Sequence, residues 1–512
     1  MSRKAKAAVM IALVLGAAMD VMVATLPNVA LGSMRGDLHA STDEGACLNI
    51  AYFMARLSFL LLSIKLTHQL GAKGLLWFAV VLFATGCLIC GLTENYYAFV
   101  FGRVLQGAGG AAFYATAQAV LFTVFPHSRQ GSIQALFSLA VVLGPNALPA
   151  FSGWVTYGYD WQYVFIIAGI IGVLLLPLTQ YLSFHVFPPG KCVKLRWIDL
   201  LLLTIAICCL QYAMEEGPRY DWFEEPKIGW LLGVAVILLV IFLVRNTFAA
   251  LARSIDFRIL KIPSFALGFL VSFVSGFALF GSGLLVPRFV QLVLRYHSAD
   301  VGYTLYPSSL SILAGLAISA IVIDTKKINP FACVAAGVIL VITSMALVSD
   351  VTLTSGFPDL NPPMMVRGLG LGLLFVPIIF ITFSELKGDQ LVNGTALFNF
   401  GRQFGGTIAM AFLPTYLERQ MNFHRHNLTS YLDAGNSLLN ERLFNLTNGL
   451  IFRGYSPEEA PDAALGILDI TVNVQSAVLA FDNAFMAIAL AFIGAAPVII
   501  TIKSWLRRWE KK

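Results

Sequence analysis

The chain has 512 residues, of which 58% are hydrophobic and only 12% are charged, and its formal net charge is +6. A soluble protein carries about twice that share of charged residues, so the composition excludes a soluble globular protein. The basic balance does not indicate a nucleic-acid partner, because the charges lie in short segments between long apolar runs.

Fourteen apolar runs, each suited to a helix that crosses a bilayer, follow one another along the chain. We predict spans at residues 7–31, 46–66, 74–93, 96–125, 132–156, 161–184, 197–214, 228–244, 263–287, 302–323, 331–349, 363–384, 392–416 and 480–502. The first run is too long for the apolar part of a signal peptide and lacks a cleavage site. We therefore expect it to remain as a span.

The lysines and arginines lie mostly on one side of the predicted membrane. Twenty-one of the 34 fall on the side of the N-terminus, nine fall on the other side and four lie within spans. An excess of these residues marks the cytoplasmic side, so we predict that both termini are cytoplasmic, and we call the two sides inner and outer. Residues 419–479 form a long polar outer segment, either a docking surface or a disordered spacer.

Four arginines, Arg56, Arg103, Arg367 and Arg402, lie inside predicted spans, and Asp20 is the only acid deep inside one. Each such charge costs on the order of 3 kcal/mol. Arg367 is near the outer end of its span, where a side chain that snorkels to the surface fits as well as a functional role. Arg56 and Arg402 are far from either end, which favours paired or water-facing roles.

The fourth span carries its arginine within a stripe of small and polar residues. Arg103, Gln106, Gly107 and Gly110 follow helical spacing and so share one face. Glycine allows neighbouring backbones to approach closely. The stripe indicates a polar pathway inside a bundle of helices.

Several motifs together resemble those of a known family. RVLQGAGGA at 103–111 resembles R-x-x-Q-G-x-G-x-A, and LGPNALPAFSGW at 143–154 resembles the fifth-helix signature G-P-x-x-G-P-x-x-G-G through Gly144, Pro145, Pro149 and Gly153. Three further segments resemble motifs of the same family: NVALGSMRGDLHAS at 28–41, DWQYVFIIAGIIG at 160–172 and ALFNFGRQFGGTIAMA at 396–411. All five motifs follow one another along the chain in the order that the family has. By this resemblance the chain is identified as a member of the major facilitator superfamily, in its fourteen-helix, EmrB/QacA-like drug:proton antiporter branch.

The resemblance implies an all-α integral membrane fold with fourteen transmembrane helices. Two six-helix bundles, at residues 1–190 and 256–512, would rock about a central cavity. Two further helices, within 191–255, would be inserted between them.

The chain also departs from the family pattern. In the loop at 64–73, Ile64, His68 and Gln69 replace the usual Gly, Asp and Arg, which puts the usual gating contact in doubt. Leu148 and Ser152 replace two glycines of the fifth-helix signature. The first-helix acid of the family would fall at Val23, and the acid found here is one turn earlier, at Asp20.

The resemblance implies export driven by the proton gradient, with no cofactor and no metal. We predict that Asp20 takes up the proton, because a carboxyl group in an apolar site protonates more readily than in water, and that Arg103 senses its charge. The substrate cavity is predicted to contain Tyr52, Phe53, Gln106, Tyr114, Gln118, Asn399 and Phe400. Plain helix packing would equally explain any one of these aromatic residues.

Four arginines against one central acid in the spans predict a cavity that prefers weak acids, anions or neutral amphiphiles. EmrB-like members imply a bacterial inner membrane, contact with its lipid, and a periplasmic adaptor with an outer-membrane channel as partners. One alternative is an exporter of a single physiological compound, such as a siderophore or a fatty acid. A membrane enzyme fits poorly, because the seven histidines lie in or beside loops without an acid at catalytic spacing, and no HExxH motif occurs.

Overall fold

The computed structural model describes residues 3–143, 154–156, 158–180, 186–189, 196–248, 255–296, 298–353, 355–433 and 435–509. These residues contain helices and no strands. The α-helices are α1 (Arg3–Thr25), α2 (Pro27–Asp37), α3 (Thr42–Leu92), α4 (Tyr96–Val124), α5 (Gln130–Ser138), α6 (Gln162–Thr179), α7 (Trp197–Glu216), α8 (Pro226–Phe248), α9 (Pro263–Leu292), α10 (Ser298–Thr325), α11 (Pro330–Ser349), α12 (Phe357–Phe383), α13 (Asp389–Thr429), α14 (Ser437–Phe452) and α15 (Ala460–Trp509).

The predicted membrane class is confirmed. Within the described part of the chain, ten helices are long and apolar enough to cross a membrane, or eleven if the bent pair Tyr96–Val124 and His127–Val141 counts as one span. The chain is therefore a multi-pass, all-α membrane protein. The total of fourteen spans stays a prediction.

Helix α3 contains two of the predicted spans. Its 51 residues would reach about 77 Å as a straight helix, more than twice the thickness of a bilayer core. At Gly71 the backbone leaves the helical region with φ +71°, a conformation that glycine adopts without strain. We therefore treat α3 as two spans that turn at this glycine.

The helices before and after the inserted pair pack mainly among themselves. Helix α3 packs on α4 and α6, whereas α9 packs on α13 and α12 packs on α10 and α11. The two groups meet where α5 contacts α10 and where α13 contacts α3 and α4. We call them the N-terminal helices (α1–α6) and the C-terminal helices (α9–α15); the exact domain limits at residues 190 and 255 stay predictions.

The inserted helices α7 and α8 are joined by a buried acid near their predicted inner ends. Asp199 of α7 is fully buried. Its carboxylate lies 2.6 Å from Nε of Arg245 in α8 and 2.8 Å from Nε of Arg196. Helix α7 also packs on both α3 and α13, so the inserted pair contacts the N-terminal and the C-terminal helices.

Most of the polar outer segment is helical, so it is not a disordered spacer. Helix α13 continues to Thr429, well past the end of its predicted span, and α14 and the first turns of α15 follow. We call residues 419–479 the outer extension. Arg425 bonds Asp469 across it at 2.8 Å, which joins the end of α13 to α15.

A second contact holds α13 against α15 near the base of the outer extension. Nδ2 of Asn483 donates to Oε1 of Gln420 at 3.0 Å and lies 2.9 Å from Nε2 of His424. Burial lowers the pKa of His424, which agrees with Nε2 acting as an acceptor in a neutral ring.

Candidate functional site

The predicted intramembrane acid lies in a buried ion pair. Asp20 of α1 is 1% exposed. Its Oδ2 is 2.6 Å from Nη1 of Arg56, and its Oδ1 accepts a hydrogen bond of 2.8 Å from the hydroxyl of Tyr52. Arg56 also donates to the Tyr52 hydroxyl. These charge-assisted bonds offset the cost of removing both charges from water.

Helix α4 approaches this pair through a glycine. A methyl group placed on Gly110 would overlap Oδ1 of Asp20 and lie 2.8 Å from its Cγ. The glycine of the predicted stripe therefore makes room for the carboxylate. It also brings Asp20 into direct contact with α4.

We predict that Gly110→Ala lowers the thermal midpoint of the detergent-purified protein, because overpacking a buried site costs about 1–3 kcal/mol. The measurement is thermal unfolding followed by size-exclusion chromatography. Gly283→Ala in α9 is the matched control, since its added methyl group meets nothing within 4 Å. Equal midpoints for the two variants would contradict the close packing of Asp20 on Gly110.

Arg103 does not bond the carboxylate of Asp20. Its Nε donates to the carbonyl of Leu48 at 3.1 Å, and its Nη1 donates to the carbonyl of Val23 at 3.2 Å and to Oε1 of Gln106 at 2.9 Å. Its guanidinium lies over the ring of Tyr52, 4.4 Å from the centroid. The direct partner of Asp20 is therefore Arg56, and Arg103 contacts Tyr52, which bonds both of them. That Arg103 senses the charge of Asp20 stays a prediction.

A second polar cluster joins α4 to α13. Nη2 of Arg402 donates to the hydroxyl of Tyr114 at 2.6 Å and to Oδ1 of Asn399 at 3.0 Å. Nδ2 of Asn399 donates to Oε1 of Gln118 at 2.6 Å. Four residues that the sequence singles out thus meet at the contact between the N-terminal and the C-terminal helices.

The two remaining predicted cavity residues are partly buried aromatic side chains. The ring of Phe53 meets Tyr52 edge-on at 5.2 Å, and the ring of Phe400 stacks on Phe404 at 5.7 Å. Their role as substrate contacts stays a prediction. Gly144, Pro145, Pro149 and Gly153 of the fifth-helix motif lie outside the described residues.

Arg367 does not snorkel to the surface. Its side chain is 1% exposed. Nε donates to Oγ of Ser282 at 2.9 Å and Nη1 donates to Oγ of Ser308 at 3.1 Å. The arginine of α12 therefore ties together α9 and α10 inside the C-terminal helices.

The predicted inner ends of the two halves are joined by an acid that sequence reasoning missed. Oδ1 of Asp324 in α10 accepts from the backbone N–H of Gly131 at 2.8 Å. Its Oδ2 accepts from the backbone N–H and the hydroxyl of Ser132 at 3.0 and 2.5 Å. Asp324 stands at the end of a predicted span before two lysines, a signal that could have identified it.

The loop at 64–73, whose sequence differs from the family pattern, also contacts the C-terminal helices. Nδ1 of His68, the residue that replaces the usual acid, lies 3.6 Å from Oδ1 of Asp389 at the start of α13. Each half thus contacts the first turn of a helix in the other. Among the described residues, no group of three or more His, Cys, Asp or Glu side chains is placed to hold a metal ion.

Comparisons with known proteins agree with this architecture. A model of the Major Facilitator Superfamily matches residues 13–410. The chain is 24% identical over 507 residues to the probable multidrug resistance protein EmrY of Escherichia coli, which covers 98% of this chain and 95% of that protein. It is 22% identical to the colistin resistance protein EmrB of Acinetobacter baumannii and 24% identical to the fatty acid resistance protein FarB of Neisseria gonorrhoeae, each over 94% of this chain and 93% of the relative.

The family model covers most of the chain, and the multi-pass helical fold agrees with it. The family expected from the sequence motifs is confirmed. The chain belongs to the Major Facilitator Superfamily.

Proposed function

We propose that the chain exports amphiphilic small molecules in exchange for protons. The names of its relatives, which are multidrug, colistin and fatty acid resistance proteins, support efflux of toxic compounds. The observation that carries proton coupling is the buried ion pair of Asp20 and Arg56. A carboxylate inside a membrane helix is costly in free energy, and such residues are usually functional.

Proton uptake by Asp20 would change the balance of the whole cluster. A neutral carboxyl group no longer pairs with Arg56, and the arginine is then a buried charge without a counter-charge. Removing one partner of a buried ion pair destabilises a protein by about 3–5 kcal/mol. Proton uptake in this conformation works against that free energy, so the proton binds more tightly in a second conformation in which Arg56 reaches water or another acceptor, and proton binding biases the protein toward that conformation.

Helix α4 connects the proton site to the other half. The face that packs on Asp20 at Gly110 also carries Tyr114 and Gln118, one and two turns further along. These two side chains bond Arg402 and Asn399 of α13. A shift of α4 at Gly110 therefore strains or relaxes the polar contact between the halves.

The buried charges support a preference in substrate class. Asp20 neutralises Arg56, and Arg103, Arg367 and Arg402 bond neutral groups in the contacts described above. The interior is therefore biased positive, which favours weak acids, anions and neutral amphiphiles over dications. Export of a single physiological compound of this kind remains the alternative cargo.

The excess of inner lysines and arginines supports cytoplasmic termini in a bacterial inner membrane. Protons would then enter from the outer side, and the cargo would leave on that side.

The function is tested by accumulation assays in a bacterium that lacks its own drug pumps. Cells with and without the chain receive a panel of weak acids, neutral amphiphiles and lipophilic cations, each with and without an uncoupler. We expect lower accumulation of weak acids or neutral amphiphiles, and loss of that effect with the uncoupler. Efflux that persists with the uncoupler would refute proton coupling, whereas a preference for lipophilic cations would refute the substrate class.

The outer extension supports docking of a periplasmic adaptor, as part of a pump that reaches an outer-membrane channel. It places large apolar side chains in the open, among them Phe444 at 66% and Phe452 at 93% exposure on α14. Isolated apolar residues are common on surfaces, but several on one short helix favour an interaction site.

We predict that Phe444→Ser together with Phe452→Ser reduces drug resistance several-fold in cells that supply an adaptor, because the apolar contact is lost. Transport by the purified variant in liposomes should stay unchanged. Glu441→Gln on the same helix is the control. An equal loss in cells and in liposomes would contradict docking and indicate a role in folding or transport.

A further inference from the structure

A further acid of the inserted helix α7, Glu215, lies outside the cluster around Asp20 and away from the ion pairs of Asp199. Glu215 is at the predicted outer end of α7 and is partly buried. Its Oε2 accepts a hydrogen bond of 3.0 Å from Nε2 of Gln211. Oε1 of Gln211 in turn accepts from the hydroxyl of Thr407 in α13 at 3.1 Å. A chain of three side chains thus runs from the inserted helix to the C-terminal helices.

No cation compensates this carboxylate within the described residues. The next residue along the chain is another acid, Glu216, whose carboxylate lies 3.7 Å from Arg219. Lys227 of α8 points elsewhere and donates to the hydroxyl of Tyr212 at 3.1 Å. On the α13 side, the closest arginine in sequence to Thr407 is Arg402, which bonds Tyr114 and Asn399.

A charged carboxylate that is partly buried and has no cation beside it is costly in free energy, and taking up a proton removes that cost. Asp20 differs, because Arg56 and Tyr52 stabilise its charge. Among the described acids, Asp20 therefore has a cation beside it, whereas Glu215 has none.

The neighbours of Glu215 can satisfy both of its protonation states. In the charged state the amide of Gln211 donates to the carboxylate and accepts from Thr407, as observed. If Glu215 takes a proton from water, its O–H can donate to the amide oxygen once the amide turns over, and the amide N–H then donates to Oγ1 of Thr407. The Thr407 hydroxyl has another acceptor at hand, the carbonyl of Gln403 at 3.3 Å.

We propose that Glu215 is a second proton-binding site of the transport cycle, read by α13 through Gln211 and Thr407. This inference rests on the proposed proton-coupled export. It also gives the inserted helices a task. Ser58 of α3 and Cys208 of α7 are 3.9 Å apart, and Trp222, between α7 and α8, donates to Thr415 of α13 at 2.9 Å, so the inserted segment contacts both halves that must move.

The test is pH-difference infrared spectroscopy of the full-length protein in lipid, which needs no substrate. The carbonyl stretch of protonated carboxyl groups is recorded across the titration for wild type, Glu215→Gln, Asp20→Asn and the exposed-residue control Glu224→Gln. We expect a carboxyl band that is present in wild type and in Glu224→Gln and absent in Glu215→Gln. Thr407→Val, which removes the last hydroxyl of the chain, should shift that band in frequency or in midpoint.

The infrared spectrum of each variant is compared with that of the wild type. A spectrum of Glu215→Gln that matches wild type would overturn this inference, and so would a Glu215 band that ignores Thr407→Val. Failure of Asp20→Asn to change pH-driven transport would count against the proposed function instead. The two hypotheses can therefore fail separately.

Discussion

Replacing Asp20 with asparagine is expected to reduce pH-driven transport by roughly 100-fold or more. The variant leaves Arg56 as a buried charge without its partner, which costs about 3–5 kcal/mol when one member of a buried pair is removed, and each 1.4 kcal/mol corresponds to a factor of ten. Asparagine is fixed in the neutral state, so the protein loses the two-state behaviour that protonation provides. Exchange of cargo across liposomes without a pH gradient should survive, since it needs no proton step.

The measurement compares pH-driven uptake with exchange in the same liposomes, using the compound that is exported best in the accumulation panel. Asp469→Asn is the matched control, because that acid pairs with an arginine at the exposed outer extension. Full pH-driven uptake by Asp20→Asn would refute the assignment of the proton site.

A double variant separates coupling from folding. Asp20→Asn leaves Arg56 as an unpaired buried charge, which destabilises the protein. Asp20→Asn with Arg56→Gln removes both charges, so we expect the thermal midpoint to recover while pH-driven transport stays lost. Recovery of both properties in the double variant would mean that the pair is only a structural contact.

The fold was largely predictable because long apolar runs have few alternatives. A run of twenty apolar residues must become a spanning helix, and the positions of most spans follow from this constraint alone. The outer part of α13 was not predicted, since residues 417–429 are polar and show only weak helical periodicity. Its helix is held by contacts to α15, such as that of Asn483, which are distant in sequence.

The members of the two buried polar clusters could be identified from the sequence, but the contacts between them could not. Asp20, Arg56, Arg103 and Arg402 stand out because charges are rare in spans. Their partners depend on how far each helix is rotated about its axis, and packing sets that rotation. Asp20 therefore faces Arg56 of α3, whereas the motif in α4 had suggested Arg103.

Replacing Asp324 with alanine is expected to open the predicted inner side. The carboxylate accepts three hydrogen bonds at the start of α5, where a helix N-terminus also favours negative charge. Hydrogen bonds to charged groups contribute about 1.5–3 kcal/mol each. Losing them should shift the balance between conformations at least about tenfold toward the inner-open state.

The shift can be measured as a distance between spin labels at Ser128 and Lys327, two exposed positions on opposite halves, after removal of the native cysteines. Glu458→Ala in the outer extension is the control for loss of an acid. We expect a broader and longer distance distribution for Asp324→Ala alone. An unchanged distribution would show that other contacts keep the inner side closed.

The contact of His68 with Asp389 should stabilise the closed inner side less than the contact of Asp324 with the start of α5. His68 replaces the usual acid, and its partner Asp389 has a side chain that is 84% exposed. Exposed pairs contribute about 0–1 kcal/mol, far less than the three bonds of Asp324. We therefore expect His68→Ala to widen the inner side much less than Asp324→Ala. Equal opening by the two variants would mean that the contact of His68 with Asp389 stabilises the closed inner side as strongly as the contact of Asp324 does.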